Sequence, residues 1–147
     1  MKSNFVSIGF RVIVVILLVA CSKGGSSPSD DGGGGGHIPS PSDTTAPSLD
    51  IYTPTASQVF TSGSSINVTG RVTDDLGLYR GTIKITNDAN GDMLKNQAYE
   101  IHGLRLYDLN LSYVTGVSVT SDYTVTVSFE DHGYNTVAKS VKVKVNP

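Results

Sequence analysis

The chain of 147 residues has no tryptophan and a single cysteine, Cys21; only 16% of its residues are charged and 7% aromatic. One cysteine excludes an internal disulfide framework and any zinc or iron–sulfur site built from several thiolates. A formal charge of −2 and a pI near 5.8 leave no basic surface for phosphate backbones, so nucleic acid is excluded as a general partner. No Gly-x-Ser-x-Gly nucleophile motif occurs, and no stretch carries the 3.6-residue periodicity of an amphipathic helix. The longest unbroken apolar run, Val12 to Ala20, has nine residues. As a helix it would reach about 13 Å, less than half of a hydrocarbon core of about 30 Å.

That run follows a segment bearing Lys2 and Arg11, and a basic stretch before a short apolar one is the pattern of a secretory signal. Leu18-Val19-Ala20-Cys21 resembles a bacterial lipobox. The resemblance implies cleavage before Cys21 and acylation of its thiol and new amino terminus, which would make residues 1–20 a lipoprotein signal peptide. Several acyl chains hold a protein at a membrane durably, each buried methylene adding about 0.8 kcal/mol. Loss of Lys2 and Arg11 leaves nine basic against thirteen acidic side chains, a formal charge of −4.

Ser22 to Ala46 holds seven Gly, six Ser and three Pro in 25 residues, with Ile38 and Ala46 its only apolar side chains. Such a segment buries too little to offset the entropy of ordering it, so residues 21–46 read as an acylated cysteine and a flexible tether. A Gly-rich phosphate loop needs a strand before it and a helix after it, and neither is present. Cys21-Ser22-Lys23 through Asp30-Asp31 resembles the start of Bacteroidota lipoproteins, in which acidic residues soon after the cysteine direct export. On that resemblance the expected location is the outer membrane, with the cell surface favoured over the periplasmic face. Asp43-Thr44-Thr45 resembles the short O-glycosylation acceptor of the same phylum.

Residues 47–147 alternate apolar and polar side chains at period two almost throughout. Ile66, Val68, Gly70 and Val72 share one phase; so do Tyr79, Gly81, Ile83 and Ile85, and Tyr123, Val125, Val127 and Phe129. Clusters such as Asp74-Asp75-Leu76-Gly77 and His132-Gly133-Tyr134-Asn135 punctuate them. The expected fold is all-β: an immunoglobulin-like antiparallel β-sandwich of about seven strands. Lys142 and Lys144 suggest a guarded edge for the last strand. Asp43-Thr44-Thr45-Ala46-Pro47, Val72-Thr73-Asp74-Asp75-Leu76-Gly77-Leu78, and Tyr123 to Val127 followed by Asp131, Gly133 and Asn135 are similar to stretches of bacterial Ig-like domains. Tyr123, two residues before Val125, resembles a tyrosine corner. With the lipobox, the whole resembles small lipoproteins of Bacteroidota that carry one such domain.

Several side chains could carry chemistry. Asp74 and Asp75 could meet Asp131 in a calcium site, an incomplete set without carbonyls or water; the preferred reading makes them ordinary turn residues. Asp88, Asn90 and Asp92 alternate as in an EF-hand, but Gly91 and Tyr99 fall where that loop needs other residues, and a hairpin with an Asn-Gly turn accounts for them. His102 and His132 read as isolated surface residues; without a third ligand no zinc site is expected. Glu100 and Glu130 each sit beside a histidine, with nothing to place them across a substrate. Tyr79, Tyr107, Tyr113 and Tyr123 read as core or corner residues, while Tyr52, Tyr99 and Tyr134 are the candidates for stacking on a glycan. The expectation is a non-enzymatic, lipid-anchored envelope protein with no catalytic residues and no required cofactor. Its Ig-like domain makes protein–protein or adhesive contacts; an accessory glycan-binding lipoprotein is the alternative.

Overall fold

The computed structural model describes residues 38–147. The expected signal peptide 1–20, Cys21 and the tether as far as residue 37 lie outside the described residues. Eight strands follow one another: β1 (Ser48–Thr53), β2 (Val59–Thr61), β3 (Ser65–Thr73), β4 (Leu78–Asn87), β5 (Met93–Glu100), β6 (Leu106–Val114), β7 (Ser121–Asp131) and β8 (Thr136–Asn146). They form two sheets, one ordered β1-β3-β6 and the other β2-β8-β7-β4-β5. This is the expected Ig-like sandwich, with one strand more than the seven anticipated.

The alternation read from the sequence is what closes the core. Along β3, Ile66, Val68, Gly70 and Val72 are all buried; along β7, so are Tyr123, Val125, Val127 and Phe129. Leu49, Ile83, Ile85, Leu109, Leu111, Val143 and Val145 meet them from the other strands. Each fully buried Val, Ile, Leu or Phe contributes about 1.5–3 kcal/mol of transfer free energy. Thr, Ser and Lys occupy the outward positions, which keeps the charge content low without exposing the core.

Four expectations need correction. The pairing is not wholly antiparallel, because β2 runs parallel to β8, with Val59, Phe60 and Thr61 opposite Lys144, Val145 and Asn146. The last strand is consequently not a plain edge: β2 covers its final part, and Lys142 and Lys144 pair with Asp88 and Asp122 at 2.8 and 2.9 Å. Tyr79 is not a core residue. A bulge between Leu78 and Arg80 hands the inward position to Leu78 and leaves Tyr79 half-buried at the end of the sheet. Finally, the chain joins the sandwich before Pro47. The Ser40 amide donates to the His132 carbonyl (2.8 Å), the Asp43 amide to Ser40 (3.0 Å), and the Asn135 Nδ2 group to the Asp43 carbonyl (3.1 Å).

The strand directions gather the β3–β4, β5–β6 and β7–β8 connections at one end, where the incoming chain also lies. Hydrogen bonds lace them together: Asp74 N to the Arg105 carbonyl, Leu78 N to that of Leu104, and His132 N to that of Gly77.

Candidate functional site

The laced end holds a group of carboxylates contributed by three separate segments. Asp74 closes the β3–β4 turn, accepting the Leu76 and Gly77 amides on its Oδ1 at 3.0 and 2.6 Å. Asp75 follows on the exposed side of the same turn. Asp43 arrives on the incoming chain, and one carboxylate oxygen from each of Asp43, Asp74 and Asp75 lies within 4.8 Å of the others. Among the described residues this is the one group of three or more metal-ligating side chains.

Asp131 stands at the last inward-facing position of β7 and is fully buried. Its oxygens are already committed: Oδ1 accepts the Gly133 and Asn135 amides (2.7 and 2.9 Å), and Oδ2 accepts the Asn135 side-chain amide (2.9 Å). It therefore shapes the β7–β8 turn. Of the possible calcium ligands read from the sequence, Asp74, Asp75 and Asp131, the structure groups the two turn aspartates with Asp43, while the oxygens of Asp131 are held within the β7–β8 turn. The close approach depends on Gly133, since a Cβ there would run into the carbonyl oxygen of Asp43.

The electrostatics of Asp43 are unusual. The residue is 4% exposed, and neither Oδ1 nor Oδ2 accepts a hydrogen bond; Oδ2 of Asp74 is likewise buried and unpartnered. Burial, then the charges of Asp131 and Asp74, push the Asp43 carboxyl above the usual carboxylate range; the Thr45 amide, which points toward the carboxyl without reaching good hydrogen-bond geometry, offsets part of this, and Asp75 adds to it. Every charged group acting on it is itself a carboxylate. Sequence reading missed Asp43 because it sits among Ser, Thr and Pro residues typical of a tether. The available signal was its place at the foot of β1, in a chain whose opposing turns are also acidic.

The two histidines are not isolated. Their rings meet edge to face with centroids 4.2 Å apart, and Tyr79 packs on both, at 5.4 Å from His102 and 5.7 Å from His132. The β5–β6 and β7–β8 connections bring them together, a convergence that local spacing does not reveal. Glu100 and Glu130 also share a surface, because both lie in register with Arg80 between them. Arg80 binds Glu130 at 3.2 Å and covers the Tyr79 ring at 5.1 Å. Arg80, Glu100 and Glu130 border a groove of about 300 Å³ on the outer face of the larger sheet, with Thr82, Ala98 and Thr136. A cation already lies between the carboxylates, so they do not face one substrate bond as an acid–base pair.

The EF-hand-like stretch is a hairpin turn. Asn87 N donates to the Asp92 carbonyl and Gly91 N to that of Asn87, while Asp88 is held by Lys142 and Thr124 at 2.8 and 2.6 Å. The three candidate tyrosines do not form a platform. Tyr52 is exposed on β1 of the smaller sheet, Tyr134 is exposed in the β7–β8 turn, and Tyr99 packs inward on Tyr107 and Phe129, with centroids at 5.6 and 6.2 Å. Burial pushes the Tyr99 hydroxyl up in pKa. Its exposure was expected because β5 (MLKNQAYE) has little alternation. Tyr123 is a core residue as read.

No family model matches the sequence, and no curated protein matches it. Solved structures of similar shape include three of low identity. The fibronectin(III)-like modules of Clostridium thermocellum CbhA match at 15% identity and TM-score 0.43, covering 67% of this chain and 46% of that one. Murine CRIg matches at 12% and 0.39, covering 68% and 96%. A CARDB domain from Pyrococcus furiosus, solved with di-metal ions, matches at 13% and 0.36, covering 69% and 91%. The sandwich itself rests on the strand order and the shared core described above, and folds of this kind host many unrelated functions.

Proposed function

We propose that this chain is a non-enzymatic, lipid-anchored protein of the bacterial cell envelope whose Ig-like domain binds another protein. The lipobox-like Leu18–Cys21 segment supports the anchor, and the Gly/Ser/Pro stretch after it supports a standoff from the membrane. The observation that carries the contact reading is strand β5. The larger sheet has five strands against three in its partner, and β5 lies at its margin, paired with β4 alone. Its other side presents the backbone donors and acceptors of Met93–Glu100 to an incoming strand. Lys95, in register with Ile85 on the inner-face side, places a charge beside that edge; this favours a partner that supplies an acidic or polar neighbour over indiscriminate pairing.

The test has two arms on intact cells. Metabolic labelling with an alkyne fatty acid should mark the wild-type chain and leave Cys21→Ala unlabelled. A photo-crosslinking residue at Asn96 or Ala98 should yield one discrete protein adduct, absent when the probe sits at Asn110 on β6. An unlabelled wild type removes the anchor; adducts equal at both positions remove the β5 contact.

A further inference from the structure

Three carboxylates at the end of a sandwich are by themselves unremarkable, since aspartate is a common turn residue. Asp43 makes this group different. The residue is 4% exposed, both carboxylate oxygens are sealed from solvent, and neither accepts a well-formed hydrogen bond, the Thr45 amide being the one donor directed at them. Oδ2 of Asp74 is likewise buried and unpartnered, and one carboxylate oxygen from each of Asp43, Asp74 and exposed Asp75 lies within 4.8 Å of the others. Buried polar groups nearly always find partners, and buried charges are paired or bind metal. Buried, poorly partnered oxygens brought together from two segments are the donor chemistry of a cation site.

We propose that Asp43, Asp74 and Asp75 bind a calcium ion that fastens the incoming chain to the β3–β4 turn. The donors are all oxygen, which suits a hard cation and not zinc or copper. Asp43 offers both its oxygens and Asp74 its Oδ2, while Oδ1 of Asp74 stays with the turn amides. Water entering past exposed Asp75 supplies the rest of the roughly six to eight ligands that calcium takes. Magnesium fits less well, because it demands a near-ideal octahedron and usually keeps most of its waters. Asp131 remains with the β7–β8 turn and adds negative potential behind Asp43. The ion would tie the start of the domain to the β3–β4 turn. This is independent of which protein the domain contacts.

The test uses the full-length chain, purified in mild detergent and stripped with EDTA. Titration calorimetry with calcium chloride should show saturable one-to-one binding. The thermal midpoint should rise by roughly 10 °C at calcium about a hundredfold above Kd. Asp75→Asn, at an exposed position that leaves folding intact, should weaken binding by about tenfold or more. Asp43→Asn should melt above the wild type in EDTA, because it removes an unpartnered buried charge, yet fail to respond to calcium. No heat and no shift up to about 10 mM calcium, well above the range of extracellular modules, would overturn the proposal. So would equal or tighter binding of magnesium, or wild-type calcium affinity in both variants.

Discussion

Gly81 and Phe129 face each other across β4 and β7, and the space beside Gly81 is filled by the Phe129 ring. A Cβ at Gly81 would fall on the ring atoms themselves. To admit an alanine the ring must swing toward Tyr99 and Tyr107, whose centroids lie 6.2 and 6.5 Å away. Overpacking of this kind costs about 1–3 kcal/mol, a large share of the 5–15 kcal/mol that holds a typical domain. At about 4–8 °C per kcal/mol for a domain near this size, Gly81→Ala should lower the melting temperature by roughly 5–20 °C. Phe129→Leu should also destabilise, since it withdraws a fully buried ring. The two together should lose less than the sum, because leucine vacates the volume that the new methyl needs. Urea denaturation of the four proteins, followed by far-UV circular dichroism, should give a coupling energy of about 1 kcal/mol or more. Additivity within about 0.5 kcal/mol would refute the packing described.

Gly133→Ala should push the Asp43 backbone off the β7–β8 turn, since the new methyl meets the Asp43 carbonyl oxygen and Cβ; a loss of about 1–3 kcal/mol in urea melts should accompany loss of the calcium response. Tyr99→Ala should cost about 2 kcal/mol for a half-buried aromatic, whereas Tyr52→Ala, 55% exposed, should stay within about 0.5 kcal/mol; equal effects in melting experiments would contradict their placement. Lys142 and Thr124 hold the Asp88 carboxyl below its ordinary value of 3.8. Its stabilising effect is thus complete above that value and is lost as pH falls through the lower, folded-state pKa. Asp88→Asn should accordingly be less stable than wild type near pH 7, with the gap closing in acid melts below about pH 4.

The strands that were legible in advance are those whose environment repeats every two residues. β3 and β7 alternate because each inward position meets the opposite sheet and each outward position meets water. Where that regularity breaks, local sequence no longer indicates direction. The bulge at Leu78/Arg80 shifts Tyr79 out of phase through its pairing with β7, a partner more than forty residues away. β2 has three residues, too few to show a period, and its parallel alignment depends on β8. Tyr99 turns inward because it lies in register with Gly81, which leaves an aromatic room on that face; nothing within β5 itself says so. The candidate site was legible in its turn half only. Asp74 and Asp75 stood out beside Gly77, but Asp43 is drawn into the cluster by the bond from Asn135 and the absence of a side chain at Gly133, both distant in sequence. The histidine pair was hidden for the same reason.

A cation shared between Asp43, Asp74 and Asp75 is proposed to fasten the chain entering the sandwich to its loop end. Hydrogen–deuterium exchange of the full chain tests it at the Ser40 and Asp43 amides, whose bonds run to His132 and Ser40. With calcium these amides should exchange slowly. In EDTA they should speed up by about tenfold or more, while those of β3 and β7 stay protected. Exchange at Ser40 and Asp43 that is identical with calcium and with EDTA would contradict the claim.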